Sequence, residues 1–210
     1  MRKKLLAALI NIIVILIIAG CASAVHYDGP YEGQVIDADT GKPIEGVVVL
    51  GVWYEEYPGA GGAVNRYHDA METVTDKNGY FKIQGLGLQI MSNVLPVKVL
   101  IFKTGYEYID EFWGGLKNRG WKGEYEEHYD PVRKLTVKKR LYDPKMKVQW
   151  EGKKAIIPLR KVTREERKKN MPPLPPGEAP YRKIKLMLDE YNKNSKELGL
   201  GVIEKWKDKR

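Results

Sequence analysis

The sequence contains a single cysteine, Cys21, and only three histidines, His26, His68 and His128. One cysteine excludes an intrachain disulfide, and the histidines do not have the spacing of metal ligands. No nucleophile lies in a glycine elbow, which is the usual sequence sign of a serine hydrolase. The glycine-rich stretch 55–63 lacks the Lys-Ser/Thr ending of a phosphate-binding loop, so we expect a flexible connection there. These absences predict a protein that acts by binding or assembly and not as an enzyme.

The first twenty residues have the pattern of an export signal. Three basic residues at 2–4 precede an apolar run over 5–19, which is shorter than the roughly 20 residues of a membrane-spanning helix. The run ends in Ile18-Ala19-Gly20-Cys21, where small residues leave the backbone before the cysteine open to a peptidase. This motif resembles the lipobox of bacterial lipoproteins. It predicts a signal peptide over 1–20 and a tether over 21–30.

The lipobox resemblance implies a membrane partner. In that family a diacylglyceryl group is attached to the cysteine sulfur, here Cys21, and the chain is cut after Gly20. The new amino terminus is then acylated, for example with palmitate, and such chains hold a protein at a membrane surface. Ala22 replaces the aspartate that retains family members in the inner membrane, which favours the outer membrane. An uncleaved signal anchor, or a cut after Ala22 or Ala24, is the alternative.

Charge argues against a nucleic-acid partner. The net charge is +9, and removal of Arg2, Lys3 and Lys4 with the signal peptide leaves +6. The remaining excess is spread through the second half of the chain, which is typical of a solvated surface or of one that faces an anionic envelope component.

Residues 33–49 predict a strand, a turn and a second strand. The turn is built on Asp39-Thr40-Gly41, in which the glycine is free to take a positive φ, and Pro43 suits the turn exit. The following run, Val47–Tyr54, is apolar at both phases of a strand, so we expect both of its faces to be covered.

A second turn and a third segment complete a recognisable pattern. Alternating runs flank Asp76-Lys77-Asn78-Gly79, and Asn-Gly between such runs predicts a hairpin. A further strand over 94–102 ends in Lys103-Thr104-Gly105-Tyr106. Together with residues 33–49, these segments resemble the carboxypeptidase regulatory-like domain. The resemblance implies an all-β, transthyretin-like (Ig-like) β-sandwich of about seven strands.

The rest of the chain extends this domain. We expect the sandwich to span 31–162, with an aromatic-rich insertion at about 107–152 and a last strand over Lys154–Leu159. Residues 163–179 predict a charged and proline-rich linker, extended at the prolines, and 180–210 an amphipathic helix with a basic tail. The helix would dock on the sandwich or on a partner. Its apolar face comprises Ile184, Met187, Leu188, Tyr191 and Leu198.

Exposed aromatics are the main candidates for a ligand site, because sugar rings stack on such side chains. The chain also contains Tyr54 and Tyr67, which bring the aromatic residues above the number that one small core needs. The candidates are Trp53, Tyr57, Trp113, Trp121 and Tyr125.

We expect no cofactor or metal. The acidic turn residues Asp37, Asp39 and Asp76, with Asn78, would bind calcium only if the two turns converged, and each suits its own turn. Some relatives of the sandwich carry iron on two histidines and two tyrosines, a site we do not expect here. The hydroxyisourate hydrolases share the fold, but their closing Tyr-Arg-Gly-Ser is absent.

The sequence therefore predicts a non-catalytic, lipid-anchored cell-envelope protein that acts in protein–protein interaction or envelope assembly. A surface carbohydrate-binding lipoprotein that uses exposed aromatics is the alternative.

Overall fold

The computed structural model describes residues 25–130, 135–204 and 206, with 121–130 and 135–142 described by their backbone alone. The predicted signal peptide, Cys21 and most of the basic tail lie outside these residues. Twelve strands and two α-helices are present in the described part. In chain order they are β1 Val25–Asp28, β2 Tyr31–Asp37, β3 Val48–Gly59, β4 Gly62–Val74, β5 Tyr80–Ile83, β6 Gly87–Ile90, β7 Lys98–Phe102, β8 Ile109–Phe112, β9 Trp121–Asp130, β10 Leu135–Tyr142, β11 Gln149–Glu151, β12 Lys154–Leu159, α1 Arg164–Lys169 and α2 Lys185–Leu198.

The strands form a mainly β, sandwich-like fold, as predicted. One four-stranded sheet has the order β11-β12-β2-β5 and the other the order β4-β3-β7-β8. An apolar core contributed by both sheets fills the space between them. In β2 the alternate residues Gly33, Val35 and Asp37 are buried, as expected for a strand with one face on a core. The predicted last strand, Lys154–Leu159, is confirmed as β12 and pairs in parallel with β2.

Strand β3 is covered on both faces, which confirms the prediction from its apolar run. Val49 and Trp53 lie in the core between the sheets. Val48, Leu50 and Val52 point the other way, into a second apolar cluster on the outer face of the sheet.

The C-terminal segment supplies that second cluster. Met187 and Leu188 of α2 pack there with Ile184 and Ala179, so the predicted apolar helix face docks on its own sandwich. Glu72 of β4 accepts hydrogen bonds from the backbone N–H groups of Leu186 and Met187, at 2.8 and 3.0 Å. This carboxylate from the sheet therefore caps the first turn of α2. The helix ends at Leu198, and the following residue, Gly199, has a φ of +72°, as the sequence indicates.

The predicted hairpin across Asp76–Gly79 is wrong in one respect. The turn forms, and one oxygen of Asp76 accepts from the N–H groups of Asn78 and Tyr80, both at 2.9 Å. The strands on its two sides, however, belong to opposite sheets. Strand β5 leaves β4 because it pairs with β2, and the Val35 N–H donates to the carbonyl of Gly79 over 2.8 Å. Local sequence predicts the turn but not the partner of each strand.

The glycine-rich stretch 55–63 is also more ordered than expected. Strand β3 continues to Gly59 and β4 begins at Gly62, so only two residues form the turn. The cross-strand pairing runs from Glu55 opposite Arg66 to Gly59 opposite Gly62.

Two further stretches differ from the predicted boundaries. Residues 25–28, expected in the tether, form β1. Within the expected insertion, β8 pairs with β7 and Leu116 is fully buried in the core, so these segments belong to the sandwich. Strands β9 and β10 form a separate two-stranded sheet.

Candidate functional site

A group of aromatic rings packs together near the start of β2, the start of β5 and the end of β8. The ring of Trp113 packs edge-on against Tyr31, Phe81 and Trp150, with centroids 5.3, 6.2 and 5.6 Å apart. Tyr31 also lies 6.3 Å from Trp53. Only Trp150 has a substantial exposed fraction, 37%. These rings form a packed unit whose outer member, Trp150, the sequence analysis did not select.

Trp53, a predicted ligand-binding residue, is a core residue. Its side chain is fully buried, so its ring faces are not available to a ligand. The indole Nε1 donates to Oδ2 of Asp28 over 3.0 Å.

Asp28 is a buried carboxylate that joins three parts of the chain. Besides Trp53, it accepts from the Tyr31 hydroxyl at 2.5 Å and from the Leu86 N–H at 2.8 Å. Burial, followed by the hydrogen bond to Asp28, raises the pKa of the Tyr31 phenol. Asp28 is not evident as a site residue from the sequence, because residues 21–30 are predicted to form a tether.

Tyr57 lies on an arm that extends past the sandwich. Strand β3 pairs with β7 only as far as Val52. Beyond that point Glu55 forms an isolated bridge to Val94, and from Tyr57 onward β3 is paired with β4 alone. We call residues 55–66 the β3–β4 arm. The Arg66 guanidinium lies 5.1 Å from the centroid of the Tyr57 ring, while the Tyr57 hydroxyl donates to Glu55. A charged group therefore covers one face of this ring.

The remaining site candidates have separate positions. Trp113 is only partly buried, but its contacts are to the aromatic group described above. Of Trp121 and Tyr125 only the backbone, in β9, is described, so their role stays a prediction.

Of the acidic turn residues, Asp37 and Asp76 accept hydrogen bonds within their own turns, and Asp39 does not. One oxygen of Asp37 accepts from the N–H groups of Asp39 and Thr40, at 3.1 and 2.9 Å. Asp39 instead pairs with Lys145 over 3.0 Å. The capping carboxylate of the first turn is thus Asp37 and not Asp39. Gly41 has the expected positive φ of +68°.

The histidines are dispersed. His68 Nδ1 lies 2.8 Å from Glu55 across the β3–β4 arm, and His26 is exposed on β1. Across the residues that the structure describes, no group of three or more His, Cys, Asp or Glu side chains is arranged to hold a metal ion. The side chain of His128 lies outside this description.

An exposed apolar surface that the sequence analysis missed lies on β1 and β6. These strands pair with each other and with neither main sheet, and we call them the β1–β6 ribbon. The sequence sign was present, because Leu88 and Ile90 alternate with Gly87 and Gln89. It becomes informative only when their partners in β1 are known.

Comparisons with known proteins add little. No protein-family model matches the chain, and no similar curated protein is found. Within the described residues, no helix combines the length and apolar character needed to cross a membrane. Among solved structures, the chain is similar to a 9R-lipoxygenase from Cyanothece, at 12% identity and a TM-score of 0.22, over 74% of this chain and 22% of the lipoxygenase. A match this weak supports no inference about the fold or activity of this chain.

Proposed function

We propose that this protein is a lipid-anchored cell-envelope protein whose non-catalytic, transthyretin-like sandwich binds another envelope protein. The lipobox-like Ile18–Cys21 supports the anchor, in the outer membrane by virtue of Ala22. The finer fold assignment is supported by the three segments that resemble the carboxypeptidase regulatory-like domain. Each of them occupies a strand or a turn of the observed sandwich.

The β3–β4 arm is the observation that carries the binding proposal. A two-stranded ribbon exposed on both faces is of marginal stability by itself. In this arm Arg66 contacts the ring of Tyr57 across the strands, and at its base Glu55 contacts His68 of β4. It also presents Val64, 49% exposed, which is the cross-strand partner of Tyr57. An ordered arm with aromatic, apolar and charged groups is a suitable surface for a protein partner.

Site-specific photocrosslinking tests the arm. A photoreactive residue is placed at Val64, and the matched control is placed at Tyr80, which is 48% exposed and begins β5 in the other sheet. The proposal predicts a discrete crosslink in intact cells from position 64, to an envelope protein identified by mass spectrometry. Position 80 should give none. Equal crosslinking from both positions, or none from position 64, would contradict the proposed role of the arm.

Metabolic labelling tests the anchor separately. Labelled palmitate should enter the wild-type chain and not Cys21→Ser. Labelling of both chains to the same level would contradict lipidation at Cys21.

Carbohydrate binding is the second candidate, and the exposed ring of Trp150 beside Trp113 favours it. Titration with cell-wall and plant-type polysaccharides should then shift the tryptophan fluorescence in a saturable way. The shift should be lost in Trp150→Ala. If no polysaccharide shifts the fluorescence, protein binding remains as the single proposed function.

A further inference from the structure

The β1–β6 ribbon has one apolar face. In its antiparallel register Val25 is opposite Ile90 and Tyr27 is opposite Leu88. Paired residues point to the same side of a ribbon, and residues two apart along a strand share that side. These four side chains are between 45% and 68% exposed, and Met91, which directly follows β6 at the end of the ribbon, is 81% exposed. The opposite side carries His26 and Gln89.

The base of the ribbon is fixed to the sandwich. Asp28, the last residue of β1, is buried and bonds to the core residue Trp53 and to the backbone of Leu86, just before β6. Gly29 and Gly85 pack so closely that a Cβ on Gly29 would lie 2.3 Å from the Gln84 carbonyl oxygen. The apolar face is therefore held in one orientation relative to the domain.

The ribbon starts beside the predicted lipid anchor. Only three residues, Ala22, Ser23 and Ala24, separate Cys21 from Val25. Four Cα–Cα steps of a fully extended chain span at most about 14 Å. Wherever the acyl chains enter a membrane, the first residue of the ribbon must lie within about half a bilayer thickness of that point.

The surroundings of the apolar face in the sequence carry no formal charge. Residues 22–27 contain no Asp, Glu, Lys or Arg, and neither do residues 85–97. A large exposed apolar patch marks an interaction site. A neutral patch is also suited to the boundary between headgroups and acyl chains, where a buried charge would be costly.

We propose that the apolar face of the β1–β6 ribbon rests in the surface of the bilayer that holds lipidated Cys21, and so orients the sandwich. This inference rests on the proposed anchor. The ribbon belongs to neither sheet, so backbone groups on its outer edges need water and keep it at headgroup level. Tyr27, with an apolar ring and a polar tip, suits this depth.

An environment-sensitive fluorophore tests the contact. The full-length chain carrying Met91→Cys is purified in its lipidated form, labelled, and reconstituted into phosphatidylcholine vesicles. Lipidation converts the Cys21 sulfur to a thioether, so only the introduced cysteine reacts. The matched control is Lys77→Cys in the turn that leads into β5, at the end of that strand away from the ribbon.

The proposal predicts a blue shift and a several-fold rise in emission at position 91, with quenching by nitroxide-labelled lipids, and no change at position 77. The signal should be equal at low and high salt and in neutral and anionic vesicles, because the patch is uncharged. It should fall in Leu88→Ser/Ile90→Ser, which changes exposed residues only.

Four outcomes would overturn the proposal. Chain that floats with vesicles while position 91 stays in water refutes the bilayer contact and leaves the anchor intact. Protection of position 91 in a dimer without lipid assigns the face to a second copy of the chain. A signal that requires anionic lipid assigns the binding to headgroup charge. A chain that carries no lipid and does not float refutes the anchor and this inference together.

Discussion

Trp53 and Asp28 are joined by a 3.0 Å hydrogen bond from the indole nitrogen to the carboxylate, in a site where both residues are buried. The bond ties the strand nearest the N-terminus to the centre of the sandwich. Trp53 therefore contributes to stability, although its residue type suggested a ligand site.

Substitution of Asp28 should be strongly destabilising. Asp28→Ala leaves the indole, the Tyr31 hydroxyl and the Leu86 N–H without their acceptor, and we expect a loss of about 3 kcal/mol in the free energy of unfolding. Urea denaturation measures it. The control, Asp39→Ala, removes an exposed ion pair with Lys145 and should leave the midpoint unchanged. Equal effects of the two substitutions would refute the structural role of Asp28.

Two glycines with similar backbone angles should respond differently to alanine. Gly85 and Gly41 have φ of +77° and +68°, so both substitutions cost about 1 kcal/mol from the backbone conformation. A Cβ at Gly85 would also lie 2.5 Å from the Asp28 carbonyl oxygen, whereas Gly41 faces open space. Thermal unfolding should show Gly85→Ala as clearly less stable than Gly41→Ala. Matching melting temperatures would contradict the close packing at the ribbon base.

Tyr67→Phe should stabilise the protein. Among the described residues, the buried Tyr67 hydroxyl has no hydrogen-bond partner, and removing an unpaired buried polar group gains about 1 kcal/mol. Tyr31→Phe is the control with the opposite sign, because it removes a hydrogen bond to Asp28. Urea midpoints at neutral pH distinguish the two, and a destabilised Tyr67→Phe would refute the assignment.

The same tyrosine predicts a loss of stability in alkali. Burial is the main cause that raises the pKa of Tyr67 from 10.0 to about 12. Between these values the unfolded chain has lost the proton and the folded chain retains it, so stability falls as pH rises and is fully present below pH 10. Between pH 9 and pH 12 the free energy of unfolding should therefore fall less steeply with pH in Tyr67→Phe than in the wild type. An unchanged slope would contradict this account.

Glu72 should matter for the docking of α2. Glu72→Ala leaves two helix N–H groups without an acceptor, and caps of this kind are worth about 1 kcal/mol. Burial raises the pKa of Glu72, so the charge itself is costly, and Glu72→Gln should lie close to wild type. Hydrogen exchange of α2 amides measures the effect. Equal exchange in wild type and Glu72→Ala would show that the carboxylate does not hold the helix.

The sequence predicts local structure better than long-range pairing. The turns at Gly41 and Asp76, strand β12 and the docking face of α2 follow from residue types and periodicity. The assignment of β5 to the sheet of β2 depends on contacts between residues far apart in the chain, which a local pattern does not contain. The apolar face of the ribbon is similarly divided between Tyr27 and Leu88, and neither half is distinctive alone.

The most direct test of the account is mass spectrometry of the N-terminal peptide of the protein purified from membranes. We expect a peptide that begins at Cys21 and carries a diacylglyceryl group and an acyl chain. A peptide that begins at Ser23 or Val25 without lipid, or one that retains the first twenty residues, would contradict it.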